Sequence, residues 1–234
     1  MPTTVPLLTP AQGLAQFERN AAALTALIPE ADLDAPVAAC PGWTFADLVA
    51  HVGEIHQWAR HAVLAGSPDG PYTPPDGDLA AWYAQHASAL AETLRTTDPD
   101  APVWHFGPKP RTAAFWSRRQ AHETAVHLYD AAHSQGLEHE LDPAAALDAV
   151  DEALTMFYPR QVRLGRIAEP DPGLTVRTAG HEWTVGREPA AAVEGPPDAV
   201  LLLLWNRIGL DDDRLTSSGD RGCAAAVLAA GIVP

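Results

Sequence analysis

Apolar residues recur at helical spacing through most of the first two-thirds of the chain. In GLAQFERNAAALTALIPE, Leu14, Phe17, Ala21, Leu24 and Ile28 are three or four apart and share one stripe. Thr9 as N-cap, with Pro10 at the first helical position, predicts where this helix begins. A second helix is predicted from Thr44, with Asp47 at its third position forming a capping box. It runs through TFADLVAHVGEIHQWARHAVLAG to Gly66. SPDGPYTPPDGD is rich in Pro, Gly and Asp and predicts a loop. A third helix is predicted over about residues 78–97, a fourth over about 112–135 with Gly136 as its stop, and a fifth over about 143–158, opening on Asp142-Pro143. The stretch APVWHFGPKPR before the fourth helix is irregular.

The period changes after about Arg166. Leu174–Arg177 and Glu182–Val185 alternate apolar and polar across a Gly turn, which is a hairpin signal. A helix-like run, DAVLLLLWNRIG, and a final helix, CAAAVLAAG, follow. The pattern predicts an α+β chain: a bundle of four long helices plus one over residues 1–160, then a small α+β domain over 161–234.

Composition adds exclusions. The chain has 234 residues, 47% hydrophobic and 19% charged, as expected of a globular protein. No window approaches the roughly 18 apolar residues of a membrane span. The N-terminus MPTTVPLLTPAQG lacks a basic segment followed by an apolar core, so a signal peptide is not expected and the cytoplasm is the expected location. A net charge of −15 disfavours nucleic acid and anionic membranes as partners. The two cysteines, Cys40 and Cys223, match no metal or redox spacing and read as small hydrophobes, with no disulfide expected.

The candidate chemistry lies in the predicted fourth helix, RQAHETAVHLYD. It resembles H-E-x-x-H, but His122 and His127 are five apart. Five helical steps rotate about 500°, a net 140°, so the two imidazoles face different ways. Glu123 and His127, four apart, share one face and could converge on a divalent cation. A further ligand must come from elsewhere, and His51 on the second helix is the best donor if Leu48, His51 and Ile55 share the inner face. His56 and His61 read as surface or rim residues. Asp130, three after His127, could orient that histidine, or it could form a surface ion pair. Glu123 could instead pair with Arg119 one turn back.

Two motifs, Pro41-Gly42-Trp43…Leu48…His51 and His122-Glu123…His127…Asp130, resemble those of the mycothiol-dependent maleylpyruvate isomerase family. This family is a branch of the DinB-like four-helix metalloproteins. DAVLLLLWNRIGL resembles the family's C-terminal domain more loosely. The resemblance implies a DinB-like bundle with a divalent metal, usually zinc, held by His51, Glu123 and His127 and completed by water. It implies a mycothiol-like thiol as cosubstrate, a small electrophilic substrate, and isomerisation or S-transfer. It also implies an arginine for the substrate carboxylate, with Arg207 matching best and Arg221 as the fallback. The expected state is a monomer or homodimer. Two other functions fit the residues: a hydrolase on the same scaffold with Glu54 or His56 as base, and a non-catalytic small-molecule-binding protein.

Overall fold

The computed structural model describes residue 5 and residues 7–234. The N-terminal stretch read above for a signal peptide begins in residues 1–4 and 6, which lie outside the described residues. The chain forms two compact units, the first of Leu8–Glu140 and the second of Leu141–Pro234 with Leu7.

The first unit holds four long helices: α1 (Pro10–Leu27), α2 (Phe45–Ala65), α3 (Leu79–Thr96) and α4 (Ala114–Ser134). Local chemistry sets their starts. Thr9 and Gln12 form a reciprocal capping box on α1, and Thr44 and Asp47 do so on α2. The Asp78 carboxylate accepts from Ala80 and Ala81 at the start of α3. α1 packs against α4 and α3, and α2 against α3 and α4. Phe17, Leu24, Phe45, Leu48, Val52, Tyr83, Leu90 and Trp116 fill the space between them.

Gly53 lets α2 approach α3. A Cβ there would lie 2.3 and 2.4 Å from ring carbons of Trp82, whose indole N–H is tied to the Thr73 carbonyl. Gly53→Ala should therefore destabilise the protein. Overpacking costs about 1–3 kcal/mol and the gain in helix propensity returns about 1, leaving a net loss of up to about 2 kcal/mol. A denaturant midpoint lowered at unchanged slope would show it; an unchanged or raised midpoint would mean that the ring moves aside freely.

The second unit begins with α5 (Pro143–Glu152), capped by Asp142. α5 packs against α7 (Pro197–Leu204), which places it in this unit and not with the preceding bundle. The boundary was expected at 160/161, whereas the compact units divide before α5. The expected single helix over 143–158 is interrupted by a π-turn at Ala153–Phe157 and continues as α6 (Tyr158–Arg163). Pro159 stands just beyond the π-turn; it lacks an N–H and crowds the carbonyl four residues earlier, so the ladder widens there.

A four-stranded sheet of order β2-β1-β3-β4 follows: β1 (Leu174–Thr178), β2 (His181–Val185), β3 (Ala191–Glu194) and β4 (Thr216–Gly219). The expected hairpin is β1–β2, joined by Ala179 and Gly180, both at positive φ as a two-residue hairpin turn requires. β3 runs parallel to β1, and β4 antiparallel to β3. These two four-residue strands carry too little alternation to show in the sequence. Ala199–Leu204 of α7 are all buried, because α7 packs against both α5 and β1. α8 (Arg221–Ala229) starts at an Asp220 cap.

Candidate metal centre

The approach to α2 is a turn. Trp43 N–H donates to the Cys40 carbonyl at 3.0 Å, with Pro41 second and Gly42 third at φ +85°. That is the geometry of a type II turn, which needs a positive φ at its third residue. No atom lies within 4 Å of a Cβ built on Gly42, so backbone conformation alone requires the glycine. The turn delivers Trp43 to the ring of His51, with centroids 4.9 Å apart.

His51, Glu123 and His127 come together. Each offers one ligand atom, and these atoms lie within 4.8 Å of one another. Glu123 Oε1 is 3.3 Å from His127 Nε2 and 3.7 Å from His51 Nε2. The two imidazole rings meet edge to face at 5.4 Å. His122 is buried outside this group, as its rotation around α4 requires. His51 lies at the edge of the buried face of α2, with its side chain 30% exposed, where Leu48 and Val52 are fully covered.

Neighbouring groups orient the three. Asp130 accepts from the Nδ1–H of His127 at 3.1 Å. A carboxylate only accepts, so Nδ1 carries a proton towards Asp130, which leaves Nε2, on the Glu123 side, as the ring nitrogen that could ligate. Arg119 donates to Glu123 Oε2 through a buried i,i+4 ion pair, leaving Oε1 on the histidine side. The pair read above as an alternative to ligation is thus present alongside the convergence. Burial, and secondarily the proximity of His127, pushes the His51 pKa down to about 4, with Glu54 opposing. At neutral pH the imidazole is uncharged, the form that ligates. Two imidazole nitrogens and one carboxylate oxygen suit a zinc-class ion with an open position.

The structure corrects His56. The residue is fully buried, not on a rim. Its Nδ1–H donates to Gln120 Oε1 at 2.7 Å, and the Tyr83 hydroxyl donates to Nε2 at 3.2 Å. Phe17 meets the ring edge-on at 5.1 Å. The inner stripe of α2 runs Phe45, Val49, Val52, His56, Ala59 and Val63, so His56 belongs to it and His51 only borders it. Burial holds the His56 pKa at about 4, and both nitrogens are engaged, so it cannot serve as the base of a hydrolase.

Cys40 also departs from expectation. Its sulfur lies within 4.8 Å of ligand atoms of His127 and Asp130. The only signal for this was its place directly before Pro41-Gly42-Trp43. Neither cysteine is in a disulfide.

In the second unit, Arg207 follows the end of α7. Asn206 takes a positive φ, the Arg207 N–H closes on the Leu202 carbonyl at 2.8 Å, and Nη1 donates to the Trp205 carbonyl at 2.6 Å. Arg221 opens α8 and pairs with Asp211 at the surface.

The sequence profile described as "Mycothiol maleylpyruvate isomerase N-terminal domain" matches residues 14–132, and that described as "MDMPI C-terminal domain" matches residues 144–226. The chain belongs to the mycothiol maleylpyruvate isomerase family. The family is named for an enzyme, and its two profiles fall one on each compact unit. The fold is similar to a crystal structure of mycothiol-dependent maleylpyruvate isomerase, with a TM-score of 0.65 and 17% identity, over 93% of this chain and 97% of that one. A histidine-to-alanine mutant of mycothiol-dependent maleylpyruvate isomerase matches with a TM-score of 0.63 and 15% identity, over the same shares of the two chains. No curated protein matches the chain. Among the described residues, no helix is long and apolar enough to cross a membrane.

Proposed function

We propose that the protein is a metal-dependent enzyme that uses a mycothiol-like thiol on a small, maleylpyruvate-like electrophilic acid, by isomerisation or S-transfer. The observation that carries this reading is the convergence of His51, Glu123 and His127 within a chain of this family. Those three residues would hold a divalent metal of the zinc class. Such a metal, when bound, supplies Lewis acidity that keeps a thiol as its thiolate at neutral pH.

The chain's own residues do the positioning. Asp130 keeps the proton on His127 Nδ1, so Nε2 stays a donor atom. Arg119 holds Glu123 Oε2 and spares Oε1. Trp43 covers one side of His51 and limits water there. Arg207 is assigned the substrate carboxylate on the family resemblance, a task that suits a planar guanidinium fork. Arg221 is the second choice.

Elemental analysis of purified protein should find about one zinc-class ion per chain, as a site with three protein ligands requires. Maleylpyruvate or a related unsaturated acid should be turned over only when mycothiol is added. A folded, active, metal-free protein would remove this reading. Turnover of an ester or amide without thiol would favour a hydrolase, with Glu54 as its remaining candidate base.

A further inference from the structure

A cavity of about 320 Å³ opens beside α2 in the first unit. Its size lies at the small end of the ligand-pocket range. Glu54, Ile55, Gln57 and Trp58 line it from the helix, and Gly70, Pro71 and Tyr72 from the loop that follows. Of these, Glu54, Ile55 and Trp58 are three, four and seven positions after His51, so they continue its stripe. At 1.5 Å per residue they lie about 4.5 to 10.5 Å from it along the helix axis.

The loop is fastened over this stripe. Gln57 grips Thr73 from both sides: its Nε2 donates to the Thr73 carbonyl at 3.1 Å, and its Oε1 accepts the Thr73 N–H at 2.9 Å. The indole of Trp58 donates to the Pro68 carbonyl at 2.9 Å, and that of Trp82 to the Thr73 carbonyl at 3.1 Å. The loop beside the cavity is therefore held by specific side chains of α2 and α3 and is not loose.

Its chemistry is selective. Trp58, Tyr72, Pro71 and Ile55 present apolar faces, and Trp58 also stacks on Phe106 behind it. The Gln57 amide and the Trp58 N–H are committed to the loop. The Glu54 carboxylate and the Tyr72 hydroxyl remain, and Glu54 is the one charge in the lining. Ring faces that cover C–H surface, with a carboxylate to accept from hydroxyls, suit a polyol and repel an anion.

We propose that this cavity takes the sugar–inositol head of the thiol cosubstrate, with Glu54 and Tyr72 as its specificity-determining residues. The proposal rests on the functional reading above and names where the thiol lies. The cysteinyl sulfur reaches the His51–Glu123–His127 end, and the acylated amino-sugar and inositol extend along α2 towards Trp58. No covalent step is involved; the head is recognised and the sulfur is left free to react.

Two measurements on the metal-replete, full-length protein test it. The thiol-free, uncharged head N-acetylglucosaminyl-inositol is titrated by calorimetry or NMR. It should bind the wild type saturably, and Glu54→Gln and Tyr72→Ala should each weaken it about tenfold, the loss of one hydrogen bond or ring contact. Both side chains are exposed, so both variants should keep the wild-type melting temperature. The preference for mycothiol over N-acetylcysteine, taken as the ratio of kcat/KM values, should fall about tenfold in each variant, through KM and not kcat. A head that does not bind, or a preference that survives both substitutions, overturns the proposal. If no thiol supports turnover at all, the functional reading fails, and the head titration alone still decides the cavity.

Discussion

His127→Ala should leave a folded protein that no longer retains a metal or turns over thiol and acceptor. His127 supplies one of the three convergent ligand atoms, with Nε2 3.3 Å from Glu123 Oε1. Deleting an outer partner of a metal ligand typically costs 10–100-fold in affinity, so deleting the ligand itself should cost at least about 100-fold. The helix should survive, because alanine is the best helix former. α4 is also held by Trp116, Ala121, Leu128 and Ala131, which the substitution leaves in place. Elemental analysis should show bound metal falling from about one ion per chain to background, with circular dichroism unchanged. His127→Gln, which keeps a polar side chain of similar reach, should behave in the same way. Full occupancy in a folded variant would remove His127 from the ligand set.

Asp130→Asn should have the next largest effect, about 10–100-fold in metal affinity. The substitution keeps shape and removes charge. Asp130 is nearly fully buried, and its carboxylate accepts from His127 Nδ1–H. The anion makes Nε2 more basic and forbids the tautomer with its proton there. An asparagine can accept through its oxygen or donate through its nitrogen. The second arrangement moves the proton to Nε2, where a metal would have to bind. Competition with a chelator should show the weakening, and added metal should restore much of the activity. Wild-type retention of metal would mean that Asp130 serves only the packing of α4.

Much of the first unit was legible because its signals are local. Thr9-Pro10, Thr44 with Asp47, and Asp78 mark helix starts through hydrogen bonds that close within three residues. The β1–β2 hairpin was legible for the same reason, since a two-residue turn sets its register. β3 and β4 were not, because four-residue strands are made by pairing with partners distant in sequence. The extent of the second unit was also hidden: α5 reads like any amphipathic helix, and only its packing on α7 says where it belongs.

In the site the divide is sharper. Helical rotation alone separated His122 from Glu123 and His127, and the spacing of Asp130 placed it near His127. His51 could be nominated from its helix, but its approach to Glu123 depends on how α2 meets α4. The same contact buried His56, which the sequence had put at the rim: α2 is rotated so that the stripe through Val52 and His56 faces inward. Cys40 reached His127 and Asp130 through a turn whose direction depends on what it packs against. The sequence by itself determined the helices, the hairpin and the facing of residues within each element, because backbone geometry repeats every few residues. Only the tertiary structure decided which faces meet, which histidine joins the core and which meets Glu123 and His127, and where a cavity opens beside α2, because those depend on helix rotation and on side chains far apart in the chain.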